Sequence, residues 1–400
     1  MIFFIVSFSI LTLIYSYIGW RIIVPAKLSL SLNITLWITL IVIMLIPWMS
    51  IFLRIYGYEG VFTDLLGWIG YLSLGFFSIV LIFLIARDFV LLIMLGLQKF
   101  SLVVRSVIGS AVGHAGSPNP GRRSFVLNSI NMGILGVSGI LSLYGLYEAR
   151  RRPRIVNVTV PVKDLPDDLE GFKIVQITDI HVGPTIKRDY VQTIVDETNI
   201  LEPDMIVFTG DIADGTVATL RDDVAPLVEL SAPCGSYFVT GNHEYYMGVE
   251  DWIKEIKQLG FKVLLNEHKI IEYGSGRILL AGVTDYEAGR FISSHTSSPE
   301  TALKGAPANH AKILLAHQPL SIFEAARVGF DLQISGHTHG GQYYPWNYLV
   351  GIQHPYVSGL HLHEKTWIYV SRGCGYWGPP IRIGQPSEIT MITLRRTNIA

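Results

Sequence analysis

Five short stretches of this chain hold side chains whose types and spacing could do chemistry. They are Asp179 and His181 in "ITDIH", Asp211 and Asp214 in "FTGDIADG", Asn242 and His243 in "VTGNHEYY", His317 in "LLAHQP", and His337 and His339 in "SGHTHGG". Any one alone reads as a turn, since Gly, Asn and Asp tolerate the backbone angles that turns require. All five together read differently. Two of the carboxylates, one amide oxygen and four of the imidazoles form a mixed oxygen and nitrogen donor set, suited to Mn, Fe or Zn rather than Ca or Mg. Seven donors exceed one four-coordinate site and suffice for two metals if one carboxylate bridges. The flanking glycines lack a Cβ and let the backbone pass close to the ions.

Elements able to position these groups surround them. Apolar runs of strand length recur at 173–178, 205–210, 236–241, 277–283, 312–317, 332–337, 367–371 and 389–394. Residues 186–201 and 249–260 carry apolar side chains at helical spacing, the second ending in a glycine suited to a C-cap. Strands alternating with helices, then mostly strands, predict an α/β layered fold with one large sheet or two packed sheets. The candidate groups all follow strands, and the carboxyl ends of strands are where open α/β sheets bind ligands. The stretch 293–300, "SSHTSSPE", reads as an exposed loop.

The first third of the chain is a different material. Of the 63 Asp, Glu, Lys and Arg residues, 12 lie before residue 150. Residues 1–20, 28–53, 65–86 and 124–147 carry none, and each run approaches or exceeds the roughly 20 residues a helix needs to cross the hydrocarbon core. We therefore expect a bundle of about four transmembrane helices over 1–149, joined near "EARRRPR" to a domain over 155–400. Residues 89–113 either extend the third helix or lie along the interface. Arg87–Asp88 reads as an interfacial pair at a span end. Lys/Arg counts in the loops and the "GRRSFV" stretch at 121–126, similar to a twin-arginine signal, place the polar domain on the outer face of the membrane. The arginines at 150–154 argue the reverse. Near-neutral net charge, formally −1, gives no nucleic-acid-binding signature. Cys234 and Cys374 read as small hydrophobes, with a bridge open to an exported domain.

The order Asp-x-His, Gly-Asp-x-x-Asp-Gly, Gly-Asn-His-Glu, His, Gly-His-x-His resembles the calcineurin-like metallophosphoesterase superfamily over about 172–395. It stands here as "DIH" 179–181, "GDIADG" 210–215, "GNHE" 241–244, His317 and "GHTH" 336–339. Membrane helices ahead of the domain, and the closing "SRGCGYWGPPIRIGQPSEI", are similar to a membrane-anchored bacterial branch, implying a bacterial plasma membrane. The resemblance implies two packed β-sheets flanked by helices. It implies one metal on Asp179, His181, Asp211 and His339, and a second on Asp211, Asn242, His317 and His337, with Asp211 bridging. His243 would face the substrate phosphate and Asp214 would orient its imidazole. The expected function is a membrane-anchored, dinuclear-metal-dependent phosphomono- or phosphodiester hydrolase. Its substrate would be a lipid-linked or nucleotide-linked phosphoester, such as a UDP-diacylglucosamine-type pyrophosphate.

Two other classes compete. A catalytically silent receptor or scaffold would be signalled by a lost donor, and none is lost. A transporter would be signalled by lone charges within the spans, and the uncharged runs hold none. His268, His295 and His310 read as structural. His354, His361 and His363 follow the last motif closely enough to line a pocket, and Trp346, Tyr376 and Trp377 serve equally as core or as contacts with substrate or membrane.

Overall fold

The computed structural model describes residues 2–58, 60–108, 120–307 and 311–397. It divides into two compact units, Met1–Tyr144 and Gly145–Ala400.

The first unit holds helices α1 (Ile2–Ile22), α2 (Leu30–Ile55), α3 (Val61–Ile108) and most of α4 (Pro120–Arg150). All four are long and apolar enough to cross a membrane. The open question over residues 89–113 resolves as far as Ile108: the third helix runs on unbroken, since no Pro or Gly pair interrupts an apolar, helix-favouring stretch. Residues 109–113 lie outside the described residues. At 48 residues α3 is about 72 Å long, more than twice the hydrocarbon thickness. Arg87–Asp88 therefore does not close a helix but sits inside one. The Asp88 carboxylate accepts from Tyr17 Oη at 2.6 Å, Arg21 Nε at 2.6 Å and Arg87 Nε at 2.9 Å. Arg87 donates on to Asn131 Oδ1, and Asn131 Nδ2 donates to Arg21 O at 2.9 Å. A charge among apolar helices needs such partners, and these tie α1, α3 and α4 together.

The second unit contains two six-stranded sheets. In the first, the order is β1 (Arg154–Lys163), β12 (Glu388–Thr397), β2 (Lys173–Ile177), β3 (Met205–Phe208), β4 (Ser236–Phe238), β5 (Lys262–Val263). In the second it is β10 (Gly359–His363), β11 (Thr366–Val370), β9 (Leu332–Ser335), β8 (Ala311–Leu315), β7 (Gly276–Gly282), β6 (Glu267–Tyr273). β2 through β5 run parallel, as do β7, β8, β9 and β11. Such strands are buried on both faces and read as continuous apolar runs, which is why the sequence displays them.

Side-chain alternation sorts each run between two cores. Ile174, Met205, Val207, Ile278, Leu280, Ile313, Leu315, Leu332 and Ile334 fill the space between the sheets. Val175, Ile177, Ile206 and Phe208 point the other way, toward α5 (Arg188–Ile200), α6 (Val217–Val224) and, beyond the short α7 (Asn242–Met247), α8 (Val249–Gln258). Leu279, Ala281 and Leu314 meet α9 (Pro299–Ala302) and α10 (Ile322–Val328) on the far side. The architecture is four-layered, α/β/β/α, and the second of the two sheet arrangements expected is the one found. The stretch 293–300, expected as a loop, contains a 3-10 turn at Ser293–His295 and the start of α9, whose N-cap Ser298 accepts from Thr301 N. Cys234 and Cys374 are both free. One more helix, α11 (Trp346–Gln353), follows the second sheet's β9 and has no fully buried residue.

Candidate metal centre

The parallel strands of both sheets end on one side, and the loops leaving β2, β3, β4, β8 and β9 carry the donor residues there. Asp179 and His181 follow β2, Asp211 follows β3, Asn242 opens α7 after β4, His317 follows β8, and His337 and His339 follow β9. Five of the seven hold left-handed backbone: Asp179 (φ 53°), His181 (55°), Asp211 (59°), His337 (72°) and His339 (52°). Such angles are uncommon outside glycine and cluster where function demands a particular side-chain direction.

Two glycines show how tight the approach is. A Cβ on Gly336 would lie 2.2 Å from Asp179 Oδ2, and one on Gly241 would lie 2.2 Å from Asp211 Oδ1. Asp179 is aimed by hydrogen bonds: Thr178 Oγ1 donates to its Oδ2 at 2.7 Å and His337 N at 3.0 Å. Asp211 Oδ1 accepts from His243 N at 2.9 Å, which leaves Oδ2 for the centre of the cluster.

Around these oxygens the donors fall into two groups. In one, His181 Nε2 and His339 Nε2 are 3.0 Å apart, and Asp179 Oδ1 lies 3.6 Å from His339 Nε2. In the other, His317 Nε2 is 3.2 Å from both Asn242 Oδ1 and His337 Nδ1. Asp211 Oδ2 stands between, 3.7 Å from His181 Nε2 and 3.1 Å from His317 Nε2. Donors held about 2.1 Å from one ion in neighbouring positions are about 3.0 to 3.4 Å apart, so the spacing fits two cations that share the Asp211 oxygen. Asp179, His181 and His339, and likewise Asp211, His317 and His337, converge closely enough to hold an ion.

Tautomers and charge agree with that fit. His317 Nδ1 donates to Thr209 O at 2.6 Å, and His181 Nδ1 donates to Asp214 Oδ1 at 2.8 Å, so each presents the lone pair of Nε2 to the cluster. Burial, with His317 beside one and His181 and Arg382 beside the other, holds His337 and His339 well below the ordinary imidazole value. Burial alone would neutralise Asp211, but His317 and His243 outweigh it and keep its carboxyl well below the usual range. Against its burial, Asp211 and Asp179 draw His317 toward its charged form, and they would draw a cation in the same way.

His243 stands at the edge of the group. Its Nε2 is 4.0 Å from Asp211 Oδ2, and its Nδ1 is 2.7 Å from Asp214 Oδ1 but off the hydrogen-bonding angle. Asp214 thus touches two imidazoles, and its contact with His181 is the one the motif reading did not include. Burial disfavours a charged His243, yet Asp211 and Asp214 push it up to about 9.

Two supporting residues were missed. Glu244 is fully buried and accepts from Asp211 N at 3.0 Å, Ile212 N at 2.7 Å and Gly241 N at 2.6 Å, pinning one donor loop to another. Its signal was present: an acidic residue three after Gly241 is the reciprocal half of a capping box. Arg382, fully buried, donates to His339 O at 2.8 Å and places Nη2 3.0 Å from His339 Nδ1; nothing around "PPIRIG" announces it. His354 is buried with its ring 4.9 Å from that of His337, which answers the question left open for it. His361 stacks on Tyr356, and His363 accepts or donates a hydrogen bond with the Tyr356 hydroxyl at 3.1 Å, away from the donors. His268 and His295 bond to Ala302 O and the Tyr245 hydroxyl. His310 lies outside the described residues. Tyr376 is core, Trp346 is half-buried and Trp377 is largely exposed.

Residues 172–341 match the family model described as calcineurin-like phosphoesterase. A Helicobacter pylori protein known as an uncharacterized metallophosphoesterase is 37% identical over 284 residues, covering 70% of this chain and 74% of that one. The chain belongs to the calcineurin-like phosphoesterase family. Proteins from Danio rerio and Bos taurus, each called a transmembrane protein with metallophosphoesterase domain, are 40% and 42% identical over 65% of this chain. The chain spans about 61% of the length of those two relatives. Relatives in bacteria and in vertebrates alike mean that the similarity does not single out a bacterial branch.

Proposed function

We propose that this chain is an integral membrane, dinuclear-metal-dependent phosphoester hydrolase. The observation that carries the reading is Asp211 Oδ2, set between two groups of converging donors at 3.1 and 3.7 Å from an imidazole of each. One ion would rest on Asp179, His181, Asp211 and His339, the other on Asp211, Asn242, His317 and His337. Two divalent cations, Mn, Fe or Zn by donor type, would neutralise phosphoryl oxygens and lower the pKa of a water between them.

The chain's own groups do the rest. Asp211 and Asp179 are fixed by backbone N–H groups, so neither needs to reorganise as charge develops. His243, drawn toward its protonated form by Asp211 and Asp214, would stabilise the phosphoryl group or give a proton to the leaving oxygen. Asp214 holds both His181 and His243 in register. A silent scaffold has no need for seven donors that still face one another.

The four apolar helices would keep this unit at a lipid surface, which favours a lipid-linked or nucleotide-linked phosphoester, a UDP-diacylglucosamine-type pyrophosphate being one such compound. We place the unit on the outer face, on the loop-charge count. The test uses the full chain in detergent with p-nitrophenyl phosphate and bis-p-nitrophenyl phosphate, stripped of metal and with Mn²⁺ added, beside Asp211→Asn. Metal-dependent turnover lost in the variant is the expected outcome. A metal-loaded chain that turns over neither compound overturns the reading for simple esters.

A further inference from the structure

The wall of the metal centre formed by residues 340–358 is built unlike the rest of the unit. From Leu332 to His363 the chain carries no Asp, Glu, Lys or Arg. Within that stretch α11 has no fully buried residue, and Tyr344, Tyr348, Leu349 and Ile352 are between 48% and 79% exposed. Tyr348, Leu349 and Ile352 share one face of the helix by their spacing. Trp377, 55% exposed, belongs to the same lip: Gln342 accepts from Trp377 N at 2.9 Å and donates back to Trp377 O at 3.2 Å. Single exposed apolar residues mean little; an uncharged cluster of aromatic and aliphatic side chains marks an interaction surface.

This lip is clamped to the metal centre at both ends. A Cβ on Gly341 would lie 2.1 Å from Asn347 Cα, so the start of α11 rests on the loop that carries His339. At the other end His354 N donates to Val350 O at 3.0 Å while its ring packs on His337. Trp377 also reaches His243, ring centroids 6.0 Å apart. The stretch just after Trp377 receives the chain as it leaves the last apolar helix. The end of α4 from Gly145 onward belongs to this unit, Arg382 N donates to Gly145 O at 3.0 Å, and a Cβ on Gly145 would lie 2.5 Å from Ile381 Cγ2. Two residues further on, Tyr344 lies over Gly384 so closely that a Cβ there would be 2.3 Å from its ring.

We infer that this lip, Tyr344, Tyr348, Leu349, Ile352 and Trp377, enters the surface of the lipid bilayer, so that the metal centre takes its phosphoester from a lipid held in that leaflet. The occupant is a bilayer rather than a protein for two reasons. The lip adjoins the residues where a membrane-length helix joins the unit, and its composition, Tyr and Trp beside Leu and Ile without charge, is that of residues at a membrane–water boundary. An apolar face buried about 5 to 10 Å into the headgroup region would bring His337 and His339, one loop behind it, to the depth of lipid phosphates. This inference rests on the phosphoesterase reading, and its test separates the two.

The full chain, with Cys234→Ser and a fluorophore on Ile352→Cys, is reconstituted in phosphatidylcholine vesicles. Quenching by nitroxide-labelled phosphatidylcholine is compared with quenching by aqueous iodide, and Val228→Cys, exposed in the turn that follows α6, serves as the control. Position 352 should be quenched by the lipid and shielded from iodide, and position 228 the reverse; equal iodide access at both overturns the inference. Separately, Leu349→Asp with Ile352→Asp is compared with the unaltered chain on two p-nitrophenyl phosphodiesters, one with a dioleoyl lipid tail in the vesicle and one soluble, bis-p-nitrophenyl phosphate. In both, water's oxygen joins phosphorus, the bond to p-nitrophenolate breaks, and the released proton passes to buffer. The ratio of lipid to soluble turnover should fall about tenfold; an unchanged ratio refutes the lip. If the unaltered chain hydrolyses neither diester nor p-nitrophenyl phosphate, the phosphoesterase reading fails, and the quenching result still decides where the lip lies.

Discussion

Replacing Gly241 with alanine is the sharpest perturbation of the metal centre, because it changes one methyl group and nothing else. Gly241 has φ −98° and ψ −175°, angles open to any residue, so Gly241→Ala carries no backbone strain. Its new Cβ would lie 2.2 Å from Asp211 Oδ1 and 2.7 Å from Asp211 N. Side-chain contacts under 3.0 Å do not persist, so the carboxylate must retreat by about 0.8 Å, beyond the roughly 0.5 Å within which a catalytic constellation works. The move also stretches the hydrogen bond from His243 N to Asp211 Oδ1, now 2.9 Å, a charge-assisted bond worth about 1.5 to 3 kcal/mol. A misplacement of about 1 Å costs on the order of a hundredfold in rate, or about 2.7 kcal/mol of transition-state stabilisation. We expect kcat/KM on bis-p-nitrophenyl phosphate to fall by that factor in the Mn²⁺-loaded full chain, with bound metal below two ions per chain. Gly351→Ala, whose Cβ would meet nothing nearer than 3.6 Å, should match the unaltered protein. Unchanged kcat/KM and full metal content in Gly241→Ala would refute the idea that Asp211 is held in place by the turn beneath it.

Two further substitutions separate holding a metal from using it. His243→Ala should retain both ions by elemental analysis while kcat drops about 10²- to 10⁴-fold, the usual worth of a positioned general acid; loss of one ion would make His243 a ligand instead. Glu244→Gln leaves a single amide oxygen beneath three backbone N–H groups and turns an NH₂ group toward at least one of them. The cost should be about 2 kcal/mol, a fall of about 4–8 °C in the thermal midpoint of the second unit. An unchanged midpoint would mean that the loops do not depend on that carboxylate.

Much of this was legible in the sequence, for identifiable reasons. Strands buried on both faces spell out continuous apolar runs, so β2, β3, β7, β8 and β9 stood out. Donor residues sit immediately after those runs, so the five motif positions could be found before any fold was known. β1, β5, β6 and β10 were not found. β1 reads "RIVNVTVPVK" directly after an arginine cluster, and its partner β12 lies more than two hundred residues away, in parallel register from Arg154 with Glu388 to Lys163 with Thr397. β6 and β10 are edge strands, exposed along one face, and their mixed composition matches that of a loop. The supporting groups follow the same logic. Arg382 touches His339 through the fold alone, and spacing along the chain cannot report a contact 43 residues away.

The ligand spacing itself has a backbone cause. Asp-x-His and His-x-His repeat one conformation: residues 179 and 181, and again 337 and 339, are left-handed. The residue between them points elsewhere in both cases. Ile180 is fully buried in the core beneath the first sheet, and Thr338 donates through Oγ1 to Val357 O at 2.6 Å. Each pair thus turns two donors toward one point while its middle residue anchors the loop. A left-handed non-glycine residue costs about 1 to 2 kcal/mol, so five of them together approach the whole net stability of a typical domain. Two packed sheets and their outer helices can carry that cost; an isolated loop could not. The x between the two donors is therefore the residue that fastens a strained turn to its frame. Exchanging Ile180 for a polar residue should disorder the Asp179 and His181 pair without touching a donor atom.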